Sequence, residues 1–123
     1  MRPRVLLVDD EEDLLGIVTE VLTAAGLDVT PATNGRQARE RIQRGEPFDL
    51  AVIDWSLPDV SGRDLVLLVA GACPDCGVLI TTGHGDDVVS AAVLGPTVSA
   101  VLRKPFTMQA LRIQLQATLN RRS

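Results

Sequence analysis

VLLVDDEEDLL, residues 5–15, sets four apolar residues directly against five consecutive acidic ones, and helical spacing follows. A short unbroken apolar run is what a strand buried on both faces looks like. Five like charges in succession repel one another, so a strand that ends in them implies something cationic close by. The stretch therefore reads as a buried strand over residues 4–8, an acidic strand end, and the start of a helix.

The same alternation continues along the chain. Over residues 13–25, apolar side chains recur at Leu14, Leu15, Val18, Val21, Leu22 and Ala25, and Gly26 stands where a helix ends. Residues 27–32 predict a second strand, which Pro31 places at an edge. Asn34 is suited to cap a helix running to Arg44 and closed by Gly45. Residues 49–54 predict a third strand, 56–62 a turn, 63–70 a helix, and 77–82 a fourth strand. A loop over residues 83–86 leads to a short helix over 86–94, cut by Gly95-Pro96. Residues 98–103 predict a fifth strand, and Thr107 caps a last helix reaching Asn120. Strands alternating with helices through short connections predict an α/β fold of (βα)5 type. Its five-stranded sheet is parallel and doubly wound by right-handed crossovers, with ligands bound outside the carboxyl ends of the strands.

Composition narrows the function classes. The chain has 123 residues, enough for one domain with one core, and 46% of them are hydrophobic. Aromatics are limited to Phe48, Trp55 and Phe106, so the core must be aliphatic. Net charge is −4 without a basic stripe, which argues against direct nucleic-acid binding. No apolar run approaches the roughly 20 residues of a membrane span, and Arg2 and Arg4 lead straight into the first strand rather than into a signal sequence. A cytoplasmic protein without membrane contact is expected.

The polar residues then fall into place. Strand 1 ends in Asp9 and Asp10, strand 3 in Asp54, strand 4 in Thr81 and Thr82, and strand 5 in Lys104. One crevice thus collects three carboxylates, a hydroxyl and an ammonium. Three close carboxylates do not all stay ionised unaided, and a hard divalent cation with oxygen ligands, Mg²⁺ or Mn²⁺, resolves the conflict. Glu11, Glu12 and Asp13 are expected at the start of the first helix, favoured by its dipole. A hydroxyl donor and a fixed cation beside a metal suit a phosphoryl group, and Asp54 at the centre suits a nucleophile that becomes an acyl phosphate.

With LLVDDEED at the first strand, DLAVIDWSLPDVSG at the third, LITTGHGD at the fourth and LRKPF at the fifth, the chain resembles the receiver domain of two-component response regulators over nearly its whole length. The resemblance implies a flavodoxin-like sheet of strand order 2-1-3-4-5 as a single domain. It implies Asp54 as phosphoacceptor, Asp10 as a direct Mg²⁺ ligand, Asp9 as a mostly water-mediated one, and the Ser56 backbone carbonyl as another. Thr82, which Gly83 follows, corresponds to the switch hydroxyl. Lys104 corresponds to the phosphoryl contact, followed by a cis bond to Pro105. The implied partner is a sensor histidine kinase or a phosphotransfer protein, and the implied catalysis is limited to the domain's own phosphorylation and dephosphorylation. Val101 stands where the family usually has an aromatic switch residue, and Thr97 where it commonly has Gly.

Two rival classes share parts of this pattern. A haloacid-dehalogenase-like phosphatase also uses Mg²⁺ and a nucleophilic Asp, but it calls for D-x-D after strand 1, where this chain has Asp9-Asp10-Glu11. A flavodoxin-like FMN carrier needs a first loop that cradles phosphate, which an acidic loop repels. No effector domain follows Arg122, which leaves a stand-alone receiver, a phosphate relay or sink, or part of a longer regulator. The helix over residues 86–94 carries Val88, Val89, Ala92 and Val93, more apolar side chains than one buried stripe needs. With Val101 beside them, these predict a docking face for an effector protein or a second copy of the chain. Cys73 and Cys76 read as an inert loop pair, since His84 alone cannot complete a zinc site, and His84 reads as a surface loop residue.

Overall fold

The computed structural model describes residues 2–83 and 97–122. Its elements run β1 (Arg4–Val8), α1 (Glu12–Ala24), β2 (Asp28–Ala32), α2 (Gly35–Gln43), β3 (Leu50–Asp54), α3 (Gly62–Ala72), β4 (Gly77–Thr82), β5 (Val98–Arg103) and α4 (Met108–Arg122). The strands form one parallel sheet in the order β2-β1-β3-β4-β5. This is the expected doubly wound arrangement, with Pro31 on the edge strand. The helix expected over residues 86–94, with Val88, Val89, Gly95-Pro96 and His84, lies outside the described residues.

The period of two along each strand sorts the core into two layers. Leu6, Val8, Ala51, Ile53 and Ile80 face Ala38 and Ile42 of α2 and Leu65 and Val69 of α3. Val5, Leu7, Leu50, Val52 and Leu79 face Leu15, Val18 and Leu22 of α1 and Leu111 and Leu115 of α4. Every residue of β3 and β4 is buried, which accounts for their unbroken apolar runs. Each fully buried Leu or Val contributes about 1.5–3 kcal/mol relative to exposure, and this aliphatic core replaces the aromatic payload the sequence lacks.

Helix ends follow their local chemistry. Gly26 and Gly45 take φ of 96° and 78° just beyond α1 and α2, the left-handed conformation that favours glycine. Asn34, Ser61 and Thr107 each accept a hydrogen bond from the first turn of the helix they precede. Glu11, at the corresponding position of α1, makes no such cap; the Asp9 side chain accepts from the Glu11 N–H at 2.9 Å instead. α3 extends two residues past the expected end at residue 70, because the Cys73 N–H still donates to the Val69 carbonyl at 2.8 Å. Cys73 is half-buried and Cys76 buried, each thiol donating to a backbone carbonyl, in keeping with a packing role.

Candidate functional site: the acidic rim of the sheet

β1 and β3 are neighbours, so Asp9 and Asp10, just past Val8, come beside Asp54 at the end of β3. Asp9 and Asp54 are buried, at 5% and 2% exposure, whereas Asp10 is exposed. Oxygens of the three carboxylates lie within 4.8 Å of one another. An all-oxygen donor set at that spacing fits a hard divalent cation. Asp10 responds to its surroundings. Its pKa is raised, first by desolvation, then by its hydrogen bond to Asp54 and by the Asp54 charge.

Lys104 enters from β5. Its backbone N–H donates to the Thr82 carbonyl at 2.7 Å, which carries the β4–β5 ladder one step beyond β5 itself. The Lys104–Pro105 peptide is cis, as the resemblance implied. The Lys104 ammonium lies 2.9 Å from Asp9, 3.1 Å from Glu11 and 3.3 Å from Asp54. Burial works against this charge, but hydrogen bonds to Asp9 and Glu11 and the field of Asp54 outweigh it, and its pKa lies above the ordinary lysine value. Asp54 is thereby held at both oxygens, Oδ2 by Lys104 and Oδ1 by the Ser56 N–H at 3.0 Å.

The two threonines separate cleanly. Thr81 pairs with Asp54 across the ladder and lines a small space with Leu7, Phe106 and Leu111 on the α1/α4 side. Thr82, the next residue and therefore on the opposite face, is buried at 2% exposure, and its hydroxyl donates to the Gly83 carbonyl at 3.4 Å. Val101 is half-buried on β5, paired with Ile80 and packed against the α2/α3 layer.

The model of the response regulator receiver domain matches residues 5–116. The chain belongs to this family. The receiver domain is 37% identical to the response regulator PilR of Pseudomonas aeruginosa over 95% of its length, yet spans only 26% of that protein. It is 31% identical to the receiver protein CpdR of Brucella abortus, covering 94% of this chain and 96% of that one. Against the probable transcriptional regulator TcrX of Mycobacterium tuberculosis it is 34% identical and covers 50% of that protein. A response regulator receiver protein from Sinorhizobium medicae superposes with a TM-score of 0.88 at 29% identity, over 99% of this chain and 98% of that one. Like its relatives, the receiver domain serves two-component signalling, and the fold is the expected flavodoxin-like one.

Two contacts of this receiver domain escaped the reading of its sequence. Glu11, placed by its sequence to favour the helix dipole, turns its carboxylate back to Lys104 across 93 positions of sequence. Asp59, unremarked in a turn-rich stretch, accepts the Gly35 and Arg36 N–H groups at 2.9 and 3.0 Å. Nothing local in the sequence signals either contact.

Proposed function

We propose that this receiver domain draws a phosphoryl group from a phosphohistidine of a sensor histidine kinase or phosphotransfer protein onto Asp54. A carboxylate oxygen of Asp54 bonds to phosphorus as the N–P bond of the donor breaks, and the imidazole takes up a proton. Water later attacks the acyl phosphate, which restores Asp54 and ends the signal. The observation that carries this reading is the Lys104 ammonium shared between Asp9 and Asp54 beside a surplus of negative charge. Lys104 is poised to follow the charge from the carboxylate to the phosphoryl oxygens.

Asp9, Asp10, Asp54 and the Ser56 carbonyl are the groups that would hold Mg²⁺, or Mn²⁺. Such a cation, when bound, offsets charge on the transferring phosphoryl group. The Thr82 hydroxyl, freed from its long bond to the Gly83 carbonyl, would donate to a phosphoryl oxygen and report the modification to the following loop. Output through residues 86–94 and Val101, to an effector or a second copy, is the reading the apolar sequence supports.

The test is chemical. With acetyl phosphate and Mg²⁺ the wild type should gain one phosphoryl group, and Asp54→Asn should gain none, by mass spectrometry. Label on another residue, or undiminished label in the variant, would overturn the assignment. Multiple turnover of a small phosphomonoester would favour the phosphatase class instead.

A further inference from the structure

The loop between β3 and α3 carries Trp55 and Ser56, and its seat decides how Asp54 is held. It is fastened at two shoulders. At one, a Cβ added to Gly62 would lie 2.5 Å from the Trp55 ring, so the indole fills the space that a side chain would take. At the other, Val60 packs so closely on α2 that a Cβ at Gly35 would lie 2.6 Å from Val60 Cβ. Between the two, Leu57 is buried.

The second shoulder is also polar. A helix leaves its first N–H groups without intrahelical partners. In α2, Asn34 accepts from Gln37 in the usual way. The Gly35 and Arg36 N–H groups are taken by the two oxygens of Asp59, which belongs to a different segment. These hydrogen bonds, that of Gly35 foremost, lower the Asp59 pKa, so the carboxylate stays charged against the positive end of the helix. The loop that carries Ser56 is thereby tied to α2 three residues beyond Ser56 itself. The Ser56 N–H in turn holds Asp54 Oδ1 at 3.0 Å.

We propose that Asp59 is a positioning residue for phosphoryl transfer at Asp54: its bidentate hold on α2 fixes the loop that orients the phosphoacceptor and the Ser56 carbonyl. The proposal rests on Asp54 being the phosphoacceptor. Asp59 touches none of the reacting atoms; it acts through the loop. A carboxylate placed only to stabilise α2 would affect melting and nothing more.

Four variants separate these roles. Asp59→Ala removes the tie. Gly35→Ala keeps the carboxylate but adds a Cβ 2.6 Å from Val60 Cβ and 3.1 Å from Asp59 Oδ1, which forces this shoulder of the loop away from α2. Asn34→Ala weakens the same helix end without touching the loop. Initial phosphorylation rates with acetyl phosphate and Mg²⁺ should fall at least fivefold in Asp59→Ala and Gly35→Ala, and amide exchange at Ser56 should quicken about tenfold, since a loosened loop opens more often. Asp59→Asn, which keeps one acceptor oxygen, should recover part of the rate. Asn34→Ala should melt lower yet match the wild type in both readouts. Wild-type rate and exchange in Asp59→Ala, or equal slowing in Asn34→Ala, would overturn the positioning role alone. A wild type that takes no phosphoryl group on Asp54 would instead overturn the functional reading, and this role with it.

Discussion

The two rims of one sheet treat charge in opposite ways. At the amino-end rim, Arg4 and Asp49 lie 3.5 Å apart with side chains 40% and 23% exposed. The Arg4 backbone N–H also donates to Asp49 at 2.8 Å, so one acid meets one cation and a backbone donor. At the carboxyl-end rim, Asp9, Glu11 and Asp54 converge on Lys104, and Asp10 adds a further carboxylate within the cluster. The side chains of Lys104, Asp9 and Asp54 are there only 14%, 7% and 3% exposed. The first rim is balanced and wet, and its pair belongs to the class worth about 0–1 kcal/mol. The second is unbalanced: Lys104, Asp9 and Asp54 are withdrawn from water while Asp10 and Glu11 stay exposed, and among the withdrawn groups charge interactions are stronger and a net surplus is costly. Surplus, rather than pairing, distinguishes an acidic cluster that could hold a divalent cation from a structural tie.

Removing the cation from each rim should give the largest contrast. Lys104→Ala should slow phosphorylation by acetyl phosphate about 100-fold, the usual scale for losing an electrostatic contact to developing charge. Arg4→Ala should leave that rate unchanged and cost under about 1 kcal/mol in urea unfolding. Similar kinetics for the two variants would erase the distinction between the rims.

Metal binding offers a sharper but smaller contrast. Followed by fluorescence of Trp55, which adjoins Asp54 in sequence, Mg²⁺ affinity should fall more for Asp10→Ala than for Asp9→Ala. Asp9 is already engaged by Lys104 at 2.9 Å, whereas Asp10 has its pKa raised by desolvation and then by Asp54. Asp49→Ala should bind Mg²⁺ as the wild type does. Unaltered binding in both acidic-rim variants would reduce DDEE to a helix start.

The smallest effect is in pH. A carboxyl whose folded pKa is raised binds more protons folded than unfolded. Ionising Asp10 therefore weakens the fold as pH climbs from the ordinary Asp value, about 3.9, through its raised value. Without divalent cation, urea midpoints of the wild type should show this loss over the carboxylate range, and Asp10→Asn should remove part of it. Because Asp10 is exposed, the change should be modest, and Mg²⁺ should suppress it. A variant curve superimposable on the wild type would show that Asp10 does not bear the surplus.

Much of this receiver domain was determined by residues that act on near neighbours. Short unbroken apolar runs specified strands, because a parallel strand covered on both faces must find a core for successive side chains. Asn34 and Thr107 announced helices, because a cap reaches only two or three residues ahead. Parallel strands joined by helices place all carboxyl ends on one rim, so Asp9, Asp10, Asp54, Thr82 and Lys104 were legible as a group before any distance was known. Tertiary structure alone decided which acids share Lys104 and what holds the loop after Asp54. Glu11 reaches Lys104 across 93 residues, and Asp59 reaches Gly35 across 24. Neither acid carries a local sign of its partner, because a carboxylate suits a helix start, a turn or an ion pair equally well. Only chain packing brings a particular ammonium or a particular pair of backbone N–H groups within 3 Å or so, and a hydrogen bond has no reach beyond that distance.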